Sequence, residues 1–330
     1  MTSSRPAAVA VVPVLDGRAH LERSLPALLA AGRGLLDEVI VVDDGSIDGS
    51  AELAQRLGAR VVRSGGVATG PARARNVGVA ATRAELVVFV DADVAVHADA
   101  IGRLLAILGE SDACAAFGSY DAHPPQRNFA SLYMNLRHHH GHREPSHAAA
   151  TFWSGLGAVR REAFLAVGGF DSGAFPRPSV EDIDLGRRLR AAGGRIVRSP
   201  EVLGTHLKRW SLAEVLRTDV LRRARPWAQM MLRHPGEFGD LNVSRAERLR
   251  ALLALGIAAL LVLAVLRIVP WWAPPAALAL GAACDPGRAS VFWRGGGPLF
   301  AFAALAFQQL YFLYSGATYL WCAVAQRSPR

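Results

Sequence analysis

Cysteine is scarce in this chain and scattered. Cys114, Cys284 and Cys322 form no CxxC pair, which argues against a disulfide framework or a cysteine-held zinc and fits a reducing compartment. No recognition-helix or zinc-finger pattern occurs, so nucleic acid is not expected as a partner despite the basic balance. Internal repeats and low-complexity tracts are also missing. The apolar run after Arg5 holds Pro13, ends in "LDG" and lacks a small-residue cleavage site. It reads as a buried strand rather than a signal peptide. Charge is sparse: 20% of the 330 residues are charged and 51% are hydrophobic. With a mean hydropathy of +0.21, the chain is more apolar than most soluble ones, and a membrane segment is expected.

The net charge is +9 and the pI is near 10.4, which suits anionic phosphate ligands or an anionic membrane surface. Basic residues cluster at 187–190, 208–209, 222–225 and 245–250, just before the apolar C-terminal third. There, Leu249 to Val269 is interrupted only by Arg250 and Arg267, and that length spans a bilayer of about 30 Å. Trp271 and Trp272 suit an interface belt, and the preceding arginines suit the cytoplasmic side. A second run, 298–325, is also long enough to span, whereas "APPAALALGAAC" is short. Two or three spans remain open. "RGGGP" (294–298) reads as a loop. The organisation expected is a catalytic domain over 1–235, a basic linker over 236–248 and membrane-anchoring helices over 249–330. That makes a multi-pass protein of the cytoplasmic membrane with its domain on the cytoplasmic side.

The first 125 residues alternate strand and helix. "AVAVVPVL" (7–14), "DEVIVVDD" (37–44), "ARVVRS", "AELVVFVDAD" (84–93) and "ACAAFGSY" read as strands, with helical segments between them. Continuous apolar strands with helical crossovers predict an α/β fold whose sheet is covered on both faces. Ligands in such folds sit beyond the carboxyl ends of the strands. Three strands end there in acids: Asp16, then Asp43 and Asp44, then Asp91 and Asp93.

In "VFVDADV" two carboxylates leave a strand with one residue between them, and strand alternation predicts that both emerge on one face. Such a pair fits a hard divalent cation, Mg²⁺ or Mn²⁺, bridging carboxylate and phosphate. A solvated turn or a helix cap is the plainer alternative. In "VVDDGSIDGS", Asp48 caps the next helix, leaving Asp44 able to meet a base or ribose. Arg73 and Arg75 of "GPARARNVG" suit a diphosphate.

"VAVVPVLDG", "VVDDGSIDGS", "ARNVG" and "VFVDADV", in that order and spacing, resemble the inverting glycosyltransferases of family 2, which have the GT-A fold, a Rossmann-like and mostly parallel sheet. "FWSGLGAVRREAFLAVGGFD" and "EDIDLGRRLRAAG" resemble that family's acceptor-side half, so the likeness covers about residues 7–230. The chain departs at its first strand, where "VLDG" replaces the more usual aromatic-Asn-acid. The resemblance implies a nucleotide-sugar donor held by Pro13, Val14, Asp16, Asp44, Arg75, Asp91, Ala92 and Asp93. It puts Asp44 on the base, Asp91 at the ribose and Asp93 on a divalent metal. Asp182, of the Glu181-Asp182 pair, would be the catalytic base, although Ser179 and Asp182 also fit a capping box. A late histidine often completes the metal shell in GT-A folds, which nominates His206. Trp153, Glu181, Arg209 and Trp210 would face the acceptor, a hydroxyl of a lipid or lipid-linked saccharide.

Half of the ten histidines lie in "HHHGHREPSH" (138–147). His138 and His142 could share a metal across one helical turn, but Gly141 breaks the helix signal and no cysteine is near. Acceptor or membrane contact is the expectation for this stretch. Two other functions compete with the main one. A polyprenyl-phosphate glycosyltransferase would need less help from Asp182, and a membrane-bound nucleotide-sugar binding protein would need none. A transporter is disfavoured because the apolar runs hold few polar groups, chiefly Gln308 and Gln309.

Overall fold

Alternation of strand and helix governs the computed structural model, which describes residues 6–66, 68–143, 149–238 and 244–327. In chain order the elements begin β1 (Ala8–Val14), α1 (Arg18–Ala31), β2 (Glu38–Asp43), α2 (Ser50–Arg56), β3 (Arg60–Arg63), α3 (Pro71–Ala80), β4 (Leu86–Val90), β5 (Val94–Val96), α4 (Ala100–Gly109) and β6 (Ala113–Tyr120). They continue α5 (Phe129–His142), β7 (Leu156–Arg160), α6 (Arg161–Ala166), α7 (Glu181–Ala191), β8 (Arg195–His206) and α8 (Leu212–Arg217). A π-helical stretch, Thr218–Ala224, leads into α9 (Arg225–Arg233), then α10 (Arg245–Val265), α11 (Ala273–Ala283) and α12 (Pro286–Arg327).

The chain divides into two compact units, residues 1–125 with 142–208, and residues 126–141 with 209–330. The units do not follow the change of composition at 235. The first carries one sheet in the order β3-β2-β1-β4-β7-β6-β8-β5. β1 pairs in parallel with β2 and β4, β2 with β3, and β6 with β8. β7 runs antiparallel to both its neighbours and β5 antiparallel to β8. The expected α/β GT-A-like fold is present, with a mixed sheet.

The apolar strands are unbroken because both faces are covered. Ala10, Val12 and Val14 of β1 and Val88 and Val90 of β4 meet Leu21, Leu25 and Leu28 of α1 and Leu104 of α4. Val9, Val11, Val87 and Phe89 meet Ala72, Ala74 and Val79 of α3, Phe164 of α6 and Leu185 of α7. Each large side chain so buried contributes about 1.5–3 kcal/mol. α3 comes unusually close to β1. A Cβ on Gly78 would lie 2.3 Å from Val11 Cγ1, so only glycine allows this approach.

Within the second unit, α5 runs through Gly141 to His142, so the expected break does not occur. A single glycine costs about 1 kcal/mol in a helix and does not by itself end one. Arg137 of α5 donates two bonds to the buried Asp219, at 2.7 and 2.8 Å, and Tyr314 of α12 donates a third at 2.7 Å. α10 and α12 are long and apolar enough to cross a membrane. Leu249, Leu252, Leu255, Leu261 and Val265 of α10 are all more than half exposed. The "RGGGP" stretch is helical rather than looped, and the helix breaks only at Gly297, whose φ is 81°. Pro298 then opens the final stretch, where a missing N–H costs nothing.

Candidate active site

The chain leaves β1 to build β2 and β3 on one side, then returns to build β4 on the other. Such a reversal opens a crevice beyond the carboxyl ends of the two strands. Asp16 lies just past β1, and Asp91, Ala92 and Asp93 just past β4. β4 ends at Val90 and β5 begins at Val94, so residues 91–93 form a turn and strand alternation does not set their faces. The two carboxylates take separate partners instead, Arg75 for Asp91 and His206 for Asp93.

Asp91 Oδ1 accepts from Arg75 Nη2 at 2.6 Å. Arg75, buried on α3, also donates to Glu181 Oε1 at 3.1 Å, and its guanidinium lies 5.4 Å from the centre of the Phe170 ring. Burial alone would lower the pKa of Arg75, but Asp91, Glu181 and Asp182 outweigh it and hold the cation above its ordinary range. Glu181 Oε2 accepts the Ser179 backbone N–H at 2.8 Å.

Asp182 opens α7 beside this group. The expected capping box does not form, because the N-cap position falls on Val180 and no side chain caps the helix. Asp182 Oδ2 instead accepts the Ser154 backbone N–H at 3.3 Å. Asp91, Glu181 and Asp182 put three acids around one guanidinium, so a proton is retained on the set. Burial, then Glu181, push the Asp182 carboxyl up to about 7 against the pull of Arg75. Burial likewise pushes Asp91 up despite Arg75, with Asp93 adding to the rise.

Asp93 behaves in the opposite way. Its carboxylate Oδ2 lies 3.5 Å from His206 Nε2. Burial would raise its pKa, but the His206 hydrogen bond and charge, with Lys208 and His20, hold it at about 2. Backbone pairing brings the two residues together: Val94 is in register with His206, and the Leu207 N–H donates to the Asp93 carbonyl at 2.8 Å. A permanently ionised carboxylate and an imidazole about 3.5 Å apart fit two neighbouring ligands of one Mn²⁺ or Mg²⁺ ion. Among the described residues no third histidine, cysteine or acid joins them, which suits an ion whose remaining ligands are phosphate oxygens and water.

The other expected donor residues shape the crevice edge. Asp44 is buried, and its carboxylate accepts from Ser64 Oγ, Thr69 Oγ1 and the Gly70 N–H, so it holds the loop that precedes α3. Asp16 has a positive φ of 49° and accepts the Ile47 N–H at 2.9 Å. Asp48 does not take the expected cap of α2, whose N-cap position falls on Gly49; it holds the turn before it, accepting from Ser50 N at 3.0 Å and Arg18 N at 2.9 Å. Pro13 and Val14 close β1 in register with Val42 and Asp43. The Ala92 carbonyl accepts from Ser24 Oγ at 2.6 Å.

Trp153 sits in the same loop as Ser154, with its ring centre 4.9 Å from Tyr120 and 5.1 Å from His142. Arg209 and Trp210 belong to the second unit. There Arg209 is exposed and Trp210 buried, the Trp210 backbone bonded to Ser131 Oγ and Asn128 Nδ2. The histidine stretch does not converge. His142 Nδ1 lies 3.1 Å from the Gly118 carbonyl, and His140 Nε2 lies 3.6 Å from Asp285. His147 and Glu144 lie outside the described residues. Sequence reasoning missed Ser154, which acts through its backbone, and Tyr120. Tyr120 was detectable only as the last residue of a strand on this edge.

Residues 9–168 match the model of Glycosyl transferase family 2. Over 275 residues the chain is 31% identical to the Pre-mycofactocin glycosyltransferase of Mycobacterium tuberculosis (strain CDC 1551 / Oshkosh), covering 78% of this chain and 55% of that protein. The chain thus spans about half the length of the curated relatives it matches. The mannosyltransferase PcManGT from Pyrobaculum calidifontis, solved with GDP-Man and Mn²⁺, superposes with a TM-score of 0.62 at 21% identity over 97% of this chain and 88% of that one. S. aureus TarS 1–349 superposes with a TM-score of 0.51 at 16% identity over 94% and 90%. Residues 9–168 thus resemble a Glycosyl transferase family 2 domain, and the sheet that carries the crevice and its acids is GT-A-like.

Proposed function

We propose that the chain is an inverting glycosyltransferase that moves a sugar from a nucleotide-sugar donor to an acceptor hydroxyl, with Asp182 as general base. The observation that carries this is the place of Asp182, bonded to the Ser154 N–H beside the Arg75–Asp91–Glu181 set at the crevice edge, where burial and Glu181 push its carboxyl up to about 7. A base poised near the working pH combines an available ionised form with useful driving force for proton transfer. Asp182 takes the acceptor proton, the hydroxyl attacks the anomeric carbon in line, and the nucleoside diphosphate departs from the opposite face. Arg75, freed from Asp91 or Glu181, meets the charge growing on the diphosphate. Asp93 and His206 would hold Mn²⁺ or Mg²⁺, which when bound would supply Lewis-acid stabilisation of the leaving diphosphate. The GDP-Man and Mn²⁺ in the PcManGT structure support a donor and a metal of these classes. Asp91 and Ala92 line the ribose side, with Asp44 and Asp16 ordering the loops around the base. Trp153 and Glu181 border the acceptor.

For the acceptor, the name of the Mycobacterium tuberculosis relative, a Pre-mycofactocin glycosyltransferase, favours pre-mycofactocin over a lipid. The exposed leucines of α10 favour the second choice, a lipid or lipid-linked saccharide reached by a multi-pass chain anchored in the cytoplasmic membrane. A polyprenyl phosphate acceptor is separated from both by Asp182→Asn, which stops transfer to a hydroxyl and spares transfer to a phosphate. The test is a panel of nucleotide sugars with Mn²⁺, read as nucleotide release with and without pre-mycofactocin or a membrane lipid extract. Acceptor-stimulated release from at least one donor is expected, and no release from any donor overturns the reading.

A further inference from the structure

Tyr120 closes β6 and His206 closes β8, and the two strands run parallel, with Tyr120 in register with Gly204. The tyrosine and imidazole rings stack, their centres 4.3 Å apart and their planes 12° from parallel. Both side chains are buried. The residues beside them, Asp121 and Thr205, point to the opposite face of the sheet and lock the same strand ends. The Asp121 carboxylate accepts from Thr205 Oγ1 and lies 3.0 Å from His97 Nε2, while the Asp121 N–H donates to the Gly204 carbonyl at 2.9 Å. One face of the strand pair therefore fixes the backbone, and the other carries the ring stack.

We infer that Tyr120 is a positioning residue that sets the plane of the His206 imidazole and keeps its Nε2 turned to Asp93. This rests on the assignment of Asp93 and His206 as metal ligands. A histidine ring held only by its Cβ turns about its last side-chain torsion, and that torsion is broad. Stacking against the Tyr120 ring confines it. Trp153 sets its ring at 85° to Tyr120 and so supports the stack from the loop that also bonds Asp182 through Ser154. The role inferred belongs to the aromatic face of Tyr120.

The test is Mn²⁺ affinity of the full-length chain, measured by electron paramagnetic resonance with Mn²⁺ alone and with guanosine or uridine diphosphate. Partners that orient metal ligands are worth about 10–100-fold in metal affinity. Tyr120→Leu is expected to weaken Mn²⁺ binding about 10-fold, and Tyr120→Phe to retain it. In pulsed measurements the bound ion of the wild type shows coupling to an imidazole nitrogen, and Tyr120→Leu loses it, which a general loosening of the fold would not do selectively. If Tyr120→Leu does not purify as a folded chain, Tyr120→Met takes its place. Unchanged affinity in Tyr120→Leu, with His206→Ala weakened, overturns this inference alone. Unchanged affinity in His206→Ala overturns the ligand assignment beneath it. Equal loss in Tyr120→Phe and Tyr120→Leu assigns the effect to the hydroxyl and refutes the stacking role.

Discussion

Asp182 shares one guanidinium with Asp91 and Glu181, and its chemistry follows from that crowding. With its carboxyl at about 7, turnover should climb with pH through neutrality and level off once the carboxylate is formed. Asp182→Asn should lower kcat about 10²–10⁴-fold while leaving donor binding, read by calorimetry, within a few-fold of wild type. A drop of less than ten-fold would remove Asp182 from the base role. The same shift has a cost in stability. The unfolded chain loses this proton near its ordinary value of 3.8, whereas the folded chain keeps it to about 7. Between those limits the folded state binds more protons, so the contribution of Asp182 to stability falls as pH rises. Asp182→Asn should therefore gain in Tm relative to wild type between pH 4 and 8. A constant difference across that range would contradict the raised value.

Helix α3 owes its position to Gly78, and Arg75 is on the same helix. Gly78→Ala puts a methyl against Val11 and Val42, and overpacking of this kind costs about 1–3 kcal/mol. We expect a lower urea midpoint and a fall in kcat/KM as Arg75 is displaced. If helix propensity alone governed the position, the change would stabilise by up to about 1 kcal/mol. In the second unit, Asp219→Asn leaves Arg137 buried without its anion, and breaking such a pair costs about 3–5 kcal/mol. The loss is read as a lowered thermal midpoint. The elements differ in how legible they were. Strand β1 and helix α3 could be read because an unbroken apolar run and a Pro-led, Gly-containing helix leave strong local signals. The three-residue β5 could not, because it is a strand only through its pairing with the far end of β8. Asp91 and Asp93 were visible as a pair, but their opposed electrostatics depend on Arg75 and His206, 16 and 113 residues away in the chain. The failed capping box has the same origin: a Ser-x-x-Asp spacing permits the cap, while the loop carrying Ser154 claims the Asp182 carboxylate.

Across the whole molecule, a GT-A-like sheet is followed in the chain by helices whose leucines are exposed. If α10 lies in lipid, replacing Leu255 and Leu261 together with Glu should move the chain from the membrane fraction to the soluble or aggregated fraction while nucleotide release by the folded domain persists. Retention of the double variant in carbonate-washed membranes would argue against α10 as an anchor. The α/β class was legible from the alternation of apolar strands and helices, and the GT-A-like form from the resemblance that the ordered motifs carry. The grouping of residues 126–141 with 209–330 was not, because it depends on contacts such as Arg137 with Asp219 that have no local sequence signal.

The two ends of the sheet carry a further consequence. β5 spans three residues, and β3 spans four, with exposed Arg60 and Arg63 at its ends. Edges that short, one of them flanked by like charges, give an incoming strand little to template on. The sheet of one copy thus offers that of another little edge on which to pair.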